Sequence, residues 1–76
     1  MNTENVNHII NALKNSLPDL QTTEITADMQ FQQLPSFDSM AVVNFQAELS
    51  KYIGDRAFDI TPMMEMTLAQ YADLLE

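Results

Sequence analysis

Residues 37–49 have the sequence FDSMAVVNFQAEL, in which an acid and a hydroxyl precede an apolar run of helical spacing. Asp and Ser favour the start of a helix, because their side-chain oxygens accept hydrogen bonds from the free N–H groups of the first turn. The stretch therefore predicts a central helix that begins at Asp38-Ser39 and ends near Tyr52 or Ile53. Gly54 follows, at a position where glycine commonly forms a left-handed C-terminal cap.

The predicted central helix carries two apolar stripes. At about 100° per residue, one set of side chains shares an arc that should face the core: Val42, Phe45, Leu49, Tyr52 and Ile53. A second set falls about a third of a turn away: Met40, Val43 and Ala47. This second stripe could be buried by wide packing, line an internal pocket, or stay exposed for a partner. The sequence leaves these three alternatives open.

The chain before the central helix predicts one helix and one long loop. A single apolar stripe at i, i+3, i+4, i+7 and i+11 predicts a helix from Thr3 to about Leu17, which Pro18 ends. Apolar residues recur every few positions in the segment 18–37, so we expect it to lie across the helices and cap the core. A short helical turn is possible around residues 26–29.

The chain after Gly54 predicts a short helix and a final one. Asp55-Arg56 should form a polar turn, after which Phe58 and Ile60 return to the core. Thr61-Pro62 is typical of a helix start, and Thr67 with Gln70 forms a possible capping box. The final helix should bury Leu68, Tyr71, Ala72 and Leu75. Together these patterns predict one all-α domain over residues 1–76, a small four-helix bundle with three main helices, one short helix and a long first loop.

Composition restricts the possible functions. Eleven acids against three bases give a formal charge of −8, so we expect no nucleic-acid or membrane partner and a basic partner where charge guides binding. The absence of cysteine excludes disulfides and thiolate chemistry. No signal peptide or membrane span is expected, and the predicted location is the cytoplasm. Motifs for phosphate, calcium or metal binding are missing, and the lone histidine, His8, is expected to be a surface residue. We therefore predict a protein that is not an enzyme.

The order of these features resembles the acyl carrier protein family over essentially the whole chain. Asp38-Ser39-Met40 is similar to the family's Asp-Ser-Leu motif at the start of the second helix. Phe31 and Leu34 precede the motif, the Val43 to Leu49 pattern and Gly54 follow it, and Thr61-Pro62 and residues 67–75 resemble the third and fourth helices.

This resemblance implies a carrier function. Ser39 would be the attachment point of 4′-phosphopantetheine, placed there from coenzyme A by a separate phosphopantetheinyl transferase with Mg²⁺. Acyl or aminoacyl groups would then be held as thioesters on the arm and presented by a monomeric carrier to activating and transferring enzymes. Asp38 would help the transferase to dock. The best candidates for partner contacts are Met40, Val43 and Glu48.

The chain departs from the family pattern in three ways, and the last of them favours a specialised carrier. Ser36 stands where the family usually has glycine, and Met40 replaces leucine. Acidic partner contacts are replaced at four positions of the central helix: Ala41, Asn44, Ser50 and Lys51. We therefore expect a dedicated role in a polyketide, lipopeptide or other specialised pathway, with partners that use apolar contact. The alternative is an acidic helical protein-interaction domain without a prosthetic group.

Overall fold

A computed structural model describes residues 3–34 and 37–75, and within these ranges it confirms the predicted all-α fold. The α-helices are α1 (Thr3–Ser16), α2 (Ser39–Ile53), α3 (Arg56–Asp59) and α4 (Leu68–Leu74). Two 3₁₀ helices, Pro18–Thr22 and Phe31–Gln33, lie between α1 and α2. None of the helices in the described part of the chain is long and apolar enough to cross a membrane.

The core lies where α1, α2 and α4 meet. Helix α1 packs against both α2 and α4, and the short α3 packs against α2. Three fully buried aromatic rings fill the centre, with Phe31 5.5 Å from Tyr71 edge to face and 5.8 Å from Phe45. Buried aliphatic residues surround these rings: Val6, Ile9, Leu13, Leu20, Leu49 and Leu68.

The long first loop caps the core, as its apolar spacing predicted. Leu20, Phe31 and Leu34 are buried. The backbone of the loop is tied to the segment before α4, because Phe31 N–H donates to the Met66 carbonyl at 3.1 Å and Leu68 N–H donates to the Met29 carbonyl at 3.0 Å. At residues 26–29 the chain forms a turn instead of a helix. These bonds satisfy backbone groups that a buried loop would otherwise leave unpaired.

The short helix was predicted at the wrong place. It is the single turn Arg56–Asp59, which begins two residues after Gly54, whereas Thr61 and Pro62 are not helical. Gly54 has φ of +72°, a value that glycine adopts readily, and its ψ of −154° differs from that of a left-handed helical residue. Gly54 and Asp55 form the turn between α2 and α3, so a polar turn is present but lies one residue earlier than the predicted Asp55-Arg56, because Arg56 is already helical.

The predicted burial was wrong for two aromatic residues. Phe58 is 53% exposed, because the small, fully buried Ala57 takes the inward position of α3. Tyr52 is 43% exposed and stacks on His8, with ring centroids 4.8 Å apart. His8 is consequently half-buried beneath a neighbouring ring, not a free surface residue. Ile60 packs partly buried against the core, as expected.

The start of α4 confirms the predicted capping box. Gln70 N–H donates to the Thr67 hydroxyl at 3.1 Å, and Thr67 N–H donates to the Gln70 side-chain oxygen at 2.9 Å. All four predicted inward residues of this helix region are buried: Leu68, Tyr71, Ala72 and Leu75.

Tyr71 gives the fold a pH dependence in alkali. Burial raises the pKa of Tyr71 to about 12, above the unfolded value of about 10. Between these values the folded state binds more protons than the unfolded state, so stability is fully present below about pH 10 and falls as pH rises towards 12. We expect this loss in denaturant unfolding followed by circular dichroism. Tyr71→Phe should weaken the pH dependence, while Tyr52→Phe, an exposed control, should keep it; equal pH profiles for the native chain and Tyr71→Phe would contradict the assignment.

Candidate functional site

The candidate site is the N-terminal end of α2. Asp38 is the N-cap, with an extended backbone (φ −105°, ψ −172°), and its Oδ1 accepts a hydrogen bond from Ala41 N–H at 2.9 Å. Ser39 is the first helical residue, and its side chain is exposed. Of the two residues that could cap the helix, the structure therefore assigns the cap to Asp38. The Ser39 hydroxyl is left at the surface.

Phe37 fixes the position of this helix end against the core. Its ring stacks on Phe31 at 5.4 Å and meets Phe45 edge to face at 6.3 Å. Phe37 is half-buried and directly precedes the cap. The sequence placed Phe37 among the core-capping residues of the loop, but the contact with Phe45 of α2 could not be read from spacing. Ser36, the other notable residue before the motif, lies outside the described residues.

The second apolar stripe of α2 is exposed. Met40 is 73% exposed, Val43 is 61% exposed, and Ala47 is also exposed. Of the three alternatives left by the sequence, wide burial is therefore excluded for this face. Scattered exposed apolar residues are common on soluble proteins, but these three follow one another along the face that begins beside Ser39.

Glu48 is further from the helix start and is already paired. Its carboxylate lies 2.7 Å from the Lys51 ammonium, and the side-chain hydrogen bond and charge of Glu48 raise the pKa of Lys51. Lys51 is well exposed, so the pair contributes little to stability. The pair does cancel the charge on this part of α2. Asp38, Ser39, Met40 and Val43 thus lie together in the first turns, while Glu48 lies about two and a half turns away from Ser39.

Gln46 is a buried polar residue whose role the sequence did not reveal. It lies inside the apolar run of α2, and its amide donates to the Ala57 carbonyl at 3.0 Å and to the Ile60 carbonyl at 3.5 Å. The Tyr71 hydroxyl donates to the same Ile60 carbonyl at 2.6 Å. These bonds attach the α3 segment to α2 and α4. In the sequence, the position of this glutamine between apolar residues was the only indication that it is buried.

Two open grooves lie elsewhere on the surface. One, of about 420 Å³, is lined by Met63, Glu65, Met66, Gln70 and Leu74. The other, of about 480 Å³, is lined by Asn11, Lys14, Asn15, Gln21 and Tyr52. Neither is lined by the residues at the start of α2. Within residues 3–34 and 37–75, no group of three or more His, Cys, Asp or Glu side chains is placed to hold a metal ion.

Comparisons with models of protein families, with curated proteins and with solved structures find no match for this chain.

Proposed function

We propose that this protein is a carrier that holds acyl or aminoacyl groups on a 4′-phosphopantetheine arm attached to Ser39. The observation that carries the proposal is the exposed Ser39 hydroxyl at the first position of a helix whose cap is supplied by Asp38. Because Asp38 satisfies the cap, the serine hydroxyl has no structural task of its own there. An exposed hydroxyl at a capped helix end is a suitable acceptor for a transferred group.

The electrostatics of the helix end favour a phosphodiester at Ser39. The first-turn N–H groups and the helix dipole give the N-terminus a partial positive charge, which stabilises a nearby phosphate. Only one of these N–H groups is engaged by the Asp38 carboxylate in the hydrogen bonds described above. The residues present therefore fit a phosphate-linked arm.

The proposed modification transfers one phosphopantetheinyl group from coenzyme A. The Ser39 oxygen attacks the phosphorus next to the pantetheine, a new O–P bond forms, and the nucleotide part of coenzyme A leaves with the electrons of the broken P–O bond. The hydroxyl proton passes to a base of the separate transferase. The arm then supplies a thiol that can hold acyl groups as thioesters. The carrier itself raises the local concentration of cargo at its partner enzymes without catalysing the reaction.

The direct test is an intact mass measurement after incubation with coenzyme A, Mg²⁺ and a broad-specificity phosphopantetheinyl transferase. We expect the mass of one phosphopantetheinyl group to be added, and fragmentation to place it on Ser39. Omission of coenzyme A is the control. If several different transferases all leave the chain unmodified, the proposal is wrong.

The exposed stripe of α2 supports a role in partner contact. We expect Val43→Asp to remain folded, because the carboxylate stays in water at this exposed position. Modification of Ser39 should persist, but an enzyme that loads or unloads the native carrier should use the variant poorly. Lost apolar contact is worth roughly 1–2 kcal/mol at about 25 cal/mol per Å², and burying an unpaired charge in the partner costs more.

Asn44→Asp is the matched control for Val43→Asp, since it adds the same charge at a neighbouring exposed position while leaving the apolar stripe intact. Circular dichroism checks the fold of both variants, and the rate of acyl transfer checks their use. If both variants are slowed equally relative to the native chain, the added charge, not the loss of apolar contact, controls the partner step. Unfolding of Val43→Asp would contradict the observed exposure.

The exposed stripe also favours the second candidate, an acidic helical interaction domain without a prosthetic group. That candidate needs Met40 and Val43 but has no use for the Ser39 hydroxyl. The intact mass experiment separates the two, because only the carrier acquires the arm.

A further inference from the structure

Whether an acyl chain attached at Ser39 can enter the helical bundle limits the kind of cargo that the carrier can hold. A long aliphatic chain tethered at Ser39 would be driven out of water and towards the nearest accessible apolar interior. Ser39, Val43 and Gln46 are spaced i, i+4 and i+7, so they lie along one side of α2. A chain that entered the bundle along this side would pass the exposed Val43 and then reach Gln46.

Gln46 makes this route polar and closed. Its buried amide donates to the Ala57 carbonyl at 3.0 Å and thereby holds α3 against α2. The Tyr71 hydroxyl of α4 donates a hydrogen bond to the Ile60 carbonyl at 2.6 Å, which holds the residue after α3 against α4. An aliphatic chain inserted between α2 and α3 would separate these pairs and leave buried polar groups without partners, which is unfavourable.

The alternative entry beside Ser39 is filled by aromatic rings. Phe37 lies at the helix end and packs on Phe31 and Phe45, with centroid distances of 5.4 and 6.3 Å. Phe31 and Phe45 are fully buried and contact Tyr71 in turn. Interiors packed with interlocking rings accept additional carbon atoms only by displacing side chains, which costs stability.

We infer that the group carried at Ser39 stays outside the helical bundle, and that the cargo is therefore a short or polar acyl or aminoacyl group. This inference rests on the proposed function and specifies its substrate class. A cargo that already carries polar or charged groups remains hydrated on the arm and needs no shelter. A long aliphatic chain would remain in water, where its apolar surface would promote aggregation or pack against the exposed Met40 and Val43 side chains.

The test loads the native chain with acetyl or octanoyl arms from the corresponding acyl-coenzyme A, using a broad-specificity transferase. We expect the Tm values of the acetyl and octanoyl forms to agree within about 2 °C, since methylenes that stay in water add no stability. Hydroxylamine should cleave the octanoyl thioester on the protein within about threefold of its rate on octanoyl-coenzyme A, as expected for a thioester open to solvent.

Gln46→Ala is the matched variant, because it removes the amide and opens space between α2 and α3. In this variant the octanoyl form should melt about 5 °C or more above the acetyl form, since several buried methylenes have that effect in a domain of this size. Should Gln46→Ala fail to fold, Gln46→Met replaces the amide with an apolar chain of similar length.

The inference would be wrong if the native octanoyl form melted about 5 °C or more above the acetyl form. It would also be wrong if hydroxylamine cleaved the protein-bound octanoyl thioester more than about tenfold more slowly than octanoyl-coenzyme A. Either result would leave the carrier function standing. Absence of any arm on Ser39 would overturn the carrier function itself, and the cargo inference with it. The two failures are thus distinguished by intact mass before melting is measured.

Discussion

Ser39→Ala is expected to abolish the addition of phosphopantetheine completely while leaving the fold unchanged. The oxygen that would form the new O–P bond is removed, so no mass should be gained under conditions that modify the native chain fully. The stability should change little, because Asp38 and not Ser39 caps α2. Alanine also has the highest helix propensity, which offsets any small loss of polar contact at an exposed position.

Asp38→Ala and Ser50→Ala are informative controls for this prediction. Asp38→Ala removes the observed cap and should cost about 1 kcal/mol of stability, while the Ser39 hydroxyl remains available. Ser50→Ala removes another serine hydroxyl of the same helix, which bonds to the Ala47 carbonyl at 2.6 Å, and should be modified normally. Modification of Ser39→Ala at any other residue would contradict the assignment of the site.

The start of α2 shows how much of the candidate site could be predicted from the sequence. An acid and a hydroxyl before an apolar run are local signals, because capping involves residues three apart in the chain. The sequence therefore located the helix start at Asp38-Ser39, but it left the capping residue undecided. The exposure of Met40 and Val43 was one of three open alternatives, since it depends on which elements pack beside α2. Their spacing alone carries no information on that packing.

The region after Gly54 shows where local reasoning failed. Thr61-Pro62 has the composition of a helix start, yet the single helical turn forms at 56–59. Its position depends on long-range contacts: the Gln46 amide holds the Ala57 carbonyl, and Tyr71 holds the Ile60 carbonyl. Large apolar side chains were expected inside, but the small Ala57 lies inward and Phe58 outward. A four-residue helix has too few residues for a periodic pattern to indicate its inner face.

The fully buried ring of Phe45 connects the candidate site to the core, so its truncation should have the largest effect on stability. Phe45 contacts Phe31, Phe37 and Tyr71. Phe45→Ala removes these contacts and leaves a cavity, which typically costs about 3–5 kcal/mol. A domain of this size has roughly 4–11 kcal/mol in total, at about 0.05–0.15 kcal/mol per residue. We expect the Tm to fall by roughly 12–40 °C, at about 4–8 °C per kcal/mol.

Val43→Ala is the matched control for Phe45→Ala. It truncates an apolar side chain two residues earlier on the same helix, but at an exposed position, so the free energy of unfolding should change by less than about 0.5 kcal/mol. Thermal and denaturant unfolding followed by circular dichroism measure both variants. Phe45→Ala also removes the edge-to-face partner of Phe37, which directly precedes Asp38. A folded fraction of Phe45→Ala should therefore be modified at Ser39 more slowly than Val43→Ala, because the helix end that presents the hydroxyl is less firmly held. Equal stabilities of the two variants would show that the three-helix core is not organised around this ring.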